Sequence, residues 1–304
     1  MKSLCLPVLV VVCLGVTSVP SYAAWDVWVS SAGADTGVCP RTAPCATFAY
    51  AFTQLFTNGV IHVVDQGAYG TLNITHGVTI DGGGIASQTV SAGTGLPVAS
   101  VFRVNAGASD VVTITNFTIS GSNGTGNLDE ASAIAVTSAG ALRVEHCTFS
   151  SFASAAIDFR ASGALLDMKD VTIADMPNAT GVYVGNGRAS LEHVSISRTQ
   201  TAVLAAGSTT VSITHSTVNG NGSGVVAAYG PTAETHIDDC LLTNNQWAVV
   251  AGQGAKAYVS RSSLFNNFIT AMFNDGSSSL ISYGDNRFAS NASDGAFTST
   301  IAVK

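Results

Sequence analysis

Leu142-Arg-Val-Glu-His-Cys-Thr-Phe149 returns down the chain with its alternation of apolar and polar residues intact. It recurs as Ser190-Leu-Glu-His-Val-Ser-Ile196, Val211-Ser-Ile-Thr-His-Ser-Thr-Val218, Thr235-His-Ile-Asp-Asp-Cys-Leu-Leu242 and Ala257-Tyr-Val-Ser-Arg-Ser-Ser-Leu264. Copies start at Leu142, Leu165, Ser190, Val211, Thr235, Ala257 and Leu280, in steps of 21 to 25 residues. A fixed period in this range marks a solenoid, in which each repeat is one coil that buries its apolar side only by stacking on the next.

Within the repeat, inward positions form columns. The first runs Ile114, Val144, Met168, Leu191, Ile213, Ile237, Val259. The second runs Phe117, Cys147, Val171, Val194, Ser216, Cys240, Ser262, and the third Ile119, Phe149, Ile173, Ile196, Val218, Leu242, Leu264. A later strand adds Ile134, Ile157, Val182, Val203, Val225, Val249 and Met272. Asn221, Asn245, Asn267 and Asn291 make a fifth column in a turn, where stacked carboxamides can bond along the axis and satisfy turn backbone. Upstream, Trp25–Val29 alternates as a strand. Ala46 to Phe56 carries Phe48, Ala51, Phe52, Leu55 and Phe56 at helical spacing, with Asn58-Gly59 as a stop. This helix would cover the open end of the stack. Gly121–Ser132 is a polar insertion that lengthens one coil.

The 304 residues are 10% charged, with a net charge of −7 and no basic block, which argues against nucleic acid as a partner. Lys2, the apolar run from Leu4 to Val19 and Ser21-Tyr-Ala23 read as a signal peptide over residues 1–23, cleaved after Ala23. No later stretch is long and apolar enough to span a bilayer. The expected locale is secreted or periplasmic. The rest divides into 24–59 (strand, cysteine loop and capping helix) and 60–304 (the solenoid). Cys39 and Cys45 flank a short loop and are the natural disulfide of an oxidising compartment. Cys147 and Cys240 share a column four coils apart. At about 4.8 Å per coil they lie roughly 19 Å from each other, beyond bonding reach, and read as buried thiols.

Pro44-Cys-Ala-Thr-Phe48, Gly59-Val-Ile-His-Val-Val64, Gly67-Ala-Tyr-Gly70 and Val78-Thr-Ile-Asp-Gly-Gly-Gly84, followed by the repeats, resemble the right-handed parallel β-helix superfamily with the pectin-lyase-like fold. The chain looks most like the exported bacterial β-helix proteins of largely unassigned function. The resemblance implies an all-β, right-handed parallel β-helix. It implies no single reaction, because the fold hosts lyases, hydrolases, esterases, adhesins and inert scaffolds. Of the polygalacturonase-like motifs (Asn-Thr-Asp, Asp-Asp, Gly-His-Gly and Arg-Ile-Lys) only Asp238-Asp239 is present. The calcium-binding Asp cluster and the Trp-x-Asp-His phrase of pectate-lyase-like enzymes are absent. Asp81 fits a structural Ile-Asp-Gly turn.

Two surface features remain as candidates. A polar ladder runs Asn116, His146, Asp170, His193, His215, Asp239, Arg261, Asp285, beside a column holding Glu145, Lys169, Glu192 and Asp238. In it His193 or His215 could act as a general base, with Asp170 and Asp239 beside them, and Lys169 or Arg261 could neutralise a uronic-acid carboxylate. The same histidines could hold a metal with Asp170 or Asp239, although a solvated structural turn accounts for the column more simply, and no resident cofactor or metal is expected. The outward positions Ala135, Asp158, Tyr183, Leu204, Val226, Val250 and Phe273 form an apolar stripe, whose five residues from Tyr183 onward suit self-association or a protein partner. Tyr183, and Tyr229 and Trp247 in turns flanking the stripe, could stack on sugar rings. The expected function is binding of an extended extracellular or cell-envelope polysaccharide, with no reaction assigned. The alternatives are a polysaccharide lyase or glycoside hydrolase using the ladder, and an adhesin-like, self-assembling scaffold.

Overall fold

The computed structural model describes residues 24–90, 100–121 and 132–301. The signal-peptide residues, most of the Gly121–Ser132 insertion and the last three residues lie outside this range. The described chain is a parallel β-helix of about nine coils. Most coils contribute a stretch of strand to each of three faces, and Thr172–Glu192 and Ser195–Thr214 each run continuously through all three. The first face contains the first half of Val111–Gly121, whose end passes onto the second face, together with Ala141–Glu145, Leu165–Lys169, Glu234–Asp238 and Lys256–Ser260. The second is built of three-residue strands such as Thr148–Ser150, Thr217–Asn219 and Leu241–Thr243. The third contains Leu72–Ile74, Phe102–Asn105, Ile134–Ser138, Ala155–Phe159, Ser223–Ala228, Trp247–Ala251 and Thr270–Asn274.

Successive coils pair in parallel and in register, so the columns read from the sequence are physical ladders. Ile114 meets Val144, then Met168, Leu191, Ile213, Ile237 and Val259. Ile119 meets Phe149, Ile173, Ile196, Val218, Leu242 and Leu264 in the same way. On the third face Phe102, Ile134, Ile157, Val182, Val203, Val225, Val249 and Met272 stack. All these side chains are buried in one continuous core. The register corrects two copy starts. Leu166 and Ala189, not Leu165 and Ser190, align with Leu142 and Val211.

The amino-terminal cap also departs from expectation. The helix covers only Phe48–Thr53, with the Thr47 hydroxyl accepting from the Tyr50 N–H at 3.1 Å. It ends early because Leu55 already pairs with Ala24 in the first parallel strand pair. Phe48, Ala51, Phe52 and Leu55 are buried as the spacing required, but Phe56 is exposed and lies beside Trp25. Cys39 and Cys45 form the expected disulfide, with Cα atoms 5.1 Å apart. Asp65 ties this end together. It accepts from the Ser31 N–H and the Ser30 hydroxyl, both at 2.7 Å, and from the Tyr69 hydroxyl at 2.6 Å. Burial pushes its pKa up, but these donors outweigh that and hold the carboxyl at about 2.

The asparagine column is a hydrogen-bonded ladder inside the second corner. The Asn221 carboxamide donates to Asn245 Oδ1 at 3.0 Å, Asn245 to Asn267 at 3.3 Å, and Asn267 to Asn291 at 2.8 Å. Each carboxamide nitrogen also donates to a carbonyl in the second-face strand of the preceding coil, as Asn245 does to Val218 at 3.1 Å. Each Oδ1 accepts a backbone N–H of the coil before it, so Asn267 Oδ1 takes that of Asn245 at 3.1 Å. Asn245 is wholly buried. Asn245→Ala therefore strands donors and acceptors on both sides, and we expect a loss of about 2–4 kcal/mol in urea unfolding. Asn291→Ala, at the more open end of the ladder, should cost less; equal losses would contradict the ladder's cooperativity.

Candidate functional site

The polar ladder occupies the corner between the first and second faces, and the backbone explains its composition. Asn116, His146, Asp170, His193, His215, Asp239 and Arg261 all have positive φ, from 45° to 60°. One left-handed residue per coil turns the chain sharply, and such positions exclude β-branched side chains while tolerating Asn, Asp and His. A second left-handed column, not recognised in the sequence, makes the next corner from Ser151, Asp175, Arg198, Asn244, Asn266 and Ser290. There Arg198 grips Asp175 in a two-pronged ion pair. The residue after each first corner points inward. This buries Cys147 and Cys240, and burial pushes their thiols up to about 12 and about 11, which removes them as nucleophiles.

Coil stacking brings the ladder's ionisable groups together. Asp170 lies between two histidines, 3.4 Å from His146 Nε2 and 3.8 Å from His193 Nδ1. The His193 and His215 rings follow with centroids 5.3 Å apart, and Asp239 lies 3.6 Å from His215 Nε2. Lys169 reaches Glu192 at 3.9 Å, and Glu192 is also 3.9 Å from His193 Nδ1. Arg261 pairs with Asp238, and its backbone N–H donates to Asp285 at 2.9 Å. His146, His193 and His215 are each at least half exposed. Among the described residues no wall covers this corner, so they do not supply the water-excluded setting in which a general base and a cation act together on a sugar.

The third face does form a cleft, and its polar lining was missed in the sequence. Outward positions stack as Asn73, Arg103, Ala135, Asp158, Tyr183, Leu204, Val226, Val250 and Phe273. The amino-terminal half opens as a cleft of about 840 Å3 whose walls include Asn73, Arg103, Asn105, Thr137, Asp158 and Arg160. Arg160 Nε donates to Asp158 at 2.8 Å, and its guanidinium lies 4.8 Å from the centre of the Tyr183 ring. Among the described residues Arg103 has no ion-pair partner. The carboxy-terminal half is apolar but less open than expected. Tyr183, Leu204, Val226 and Val250 are half-buried, since neighbouring rungs cover one another's flanks, and only Phe273 is exposed.

Trp247 is not in a turn. It is the first residue of the strand Trp247–Ala251 and lines a cleft of about 790 Å3 with Gln200, Gln246 and the exposed Phe268. Tyr229 does sit in a turn, exposed and with φ of 62°. His236 and Tyr258, also missed, stack at 4.6 Å on the first face beside Tyr283.

A family model described as right handed β-helix region matches residues 101–270 and 180–300. The chain belongs to the right-handed β-helix family. Among solved structures, this β-helix protein is similar to a hyperthermoactive exopolygalacturonase from Thermotoga maritima. That match is 8% identical, covers 79% of this chain and 85% of the other, and has a TM-score of 0.31, too loose to transfer any residue's role. A search among curated proteins found no match. Among the described residues no helix is long and apolar enough to cross a membrane.

The corner geometry separates backbone from chemical demand. His215→Asn keeps a residue suited to positive φ and should leave the unfolding midpoint nearly unchanged. His215→Val should destabilise by about 1–2 kcal/mol, because a branched Cβ clashes there. Equal stability of the two variants in thermal and urea unfolding would refute this reading of the column.

Proposed function

We propose that this β-helix protein is exported and binds an extended, acidic polysaccharide along its third face, holding the chain rather than cutting it. The observation that carries this reading is the polar cleft at the amino-terminal half of that face. The protein has a net charge of −7 and only 12 Lys and Arg residues, yet Arg103 and Arg160 open onto one groove. Guanidinium groups pair bidentately with carboxylates, and Asn73, Asn105 and Thr137 offer the hydroxyl-matching contacts that sugars need. Tyr183 continues the groove with an aromatic ring, and Trp247 provides a second ring at the edge of the same face. The ladder from Asn73 to Phe273 spans nine coils, roughly 38 Å at about 4.8 Å per step, enough for several sugar units in line. The Cys39–Cys45 disulfide supports an oxidising compartment, and residues 1–23 read as the export signal.

Binding rather than cleavage is favoured because the histidine corner is open to water and lies at the boundary of the first and second faces, away from the cleft. Purified protein should bind polygalacturonate or a comparable polyuronate in calorimetry, with affinity falling as salt rises. Arg103→Ala and Arg160→Ala should each weaken binding about tenfold, the equivalent of ~1.4 kcal/mol. Undiminished binding by the double variant would reject the cleft, and growth of ultraviolet absorbance from unsaturated products would make the protein a lyase.

The apolar half of the same face supports a second reading, contact with another copy of the chain. Leu204, Val226, Val250 and Phe273 form four consecutive apolar rungs. If this strip is an interface, Val226→Asp should lower the mass measured by light scattering. A monomer in both proteins would leave the strip as cover for the core.

A further inference from the structure

We propose that Glu192, His193 and His215 form a binding site for a divalent transition-metal ion of the zinc type. The three residues each bring one donor atom within 4.8 Å of the other two. The two imidazoles come from the same corner of adjacent coils, on left-handed residues with φ of 52° and 51°. Main-chain bonds fix the spacing. The His193 N–H donates to Thr214 at 3.2 Å, and the His215 N–H to Asp238 at 3.3 Å. Glu192 is the last residue of the strand that leads into the corner, and its side chain turns outward beside His193.

The donor set selects the ion. Two imidazole nitrogens and one carboxylate suit zinc and its neighbours, whereas calcium and magnesium take oxygen ligands. Zinc bonds of about 2.0–2.1 Å require donors roughly 3.3 Å apart. The half-exposed side chains can close the remaining gap by turning about χ1 and χ2 without disturbing the core. Asp170 and Asp239 flank the pair, 3.8 Å from His193 and 3.6 Å from His215. Asp239 is placed to accept from His215 Nε2–H when Nδ1 binds the metal, the usual duty of carboxylates behind metal-bound histidines, whereas Asp170 approaches the same His193 Nδ1 that Glu192 does. His193 and His215 are adjacent rungs of the corner, whereas His146 is separated from His193 by Asp170. The site lies apart from the third-face cleft, so it stands or falls independently of polysaccharide binding.

The test is a zinc titration of chelator-stripped protein by calorimetry, with thermal unfolding as a second readout. Wild-type protein should bind one zinc ion per chain and show a raised melting temperature in its presence. His193→Ala and His215→Ala should each weaken binding at least tenfold, and Glu192→Gln by a smaller factor. All three should keep the metal-free melting temperature within a few degrees, since the side chains are exposed. His236→Ala, on the first face, should bind like wild type. No saturable binding, or equal affinity in wild type and the double variant His193→Ala/His215→Ala, would overturn the site.

Discussion

The parallel hydrogen-bond ladder between successive coils is the constraint on which everything else rests. It holds each residue directly above its counterpart, so a choice made at one position is repeated or answered about 4.8 Å away. The corners obey the same ladder. The N–H groups of Asp170, His193, His215 and Asp239 each donate to a carbonyl of the next coil, at 3.2 to 3.3 Å. A corner residue must therefore first adopt positive φ and keep this bond. Only then is its side chain free for chemistry. This order of demands explains why Asn, Asp, His and Arg interchange along one column. It also explains why polarity there is weak evidence of catalysis.

The same stacking makes polar residues in the interior tolerable. A buried asparagine is costly unless every donor and acceptor finds a partner, and a column of identical carboxamides supplies those partners from its own neighbours. The remaining problem is the ends, where a ladder presents unpaired strand edges. At the amino terminus the short helix, the Cys39–Cys45 loop and the Asp65 clamp close the stack over Phe48 and Tyr69.

Repeat register, inward columns, the asparagine ladder and the disulfide were all legible in the sequence, because each follows from periodicity or local spacing. The misplaced starts at Leu165 and Ser190 arose where Leu165 and Leu166 adjoin and Ala189 carries little pattern. The helix was overextended because Leu55 and Phe56 continue a helical spacing, while the competing pairing of Leu55 with Ala24 is a long-range contact. The polar cleft was hidden for a different reason. Thirty residues separate Leu72 from its partner Phe102, and thirty-two separate Phe102 from Ile134, against 21 to 25 for later coils of this face. Insertions broke the period where Asn73 and Arg103 lie, so these residues could not be aligned with Asp158 and Tyr183. The alternation of Phe102 and Val104 around Arg103 was the one available signal. The grouping of Glu192 with two histidines was obscured because it joins two columns that had been read separately.

A solenoid and a polysaccharide share a property that a globular pocket lacks: both are periodic along one axis. A face of equivalent rungs can repeat a contact, and modest interactions then add through effective concentration rather than through one deep pocket. On the third face, however, the rungs are not equivalent. Arg103, Asp158 and Arg160 give way to Tyr183 and then to Leu204, Val226 and Val250. That gradient sets a direction, with charge recognition at the capped end and an apolar strip toward the carboxy terminus. A uniform charged ladder would bind any polyanion in any register. A cationic cleft that ends at an aromatic rung fixes where an acidic chain can dock, and leaves the apolar rungs beyond it for a partner that carries no charge.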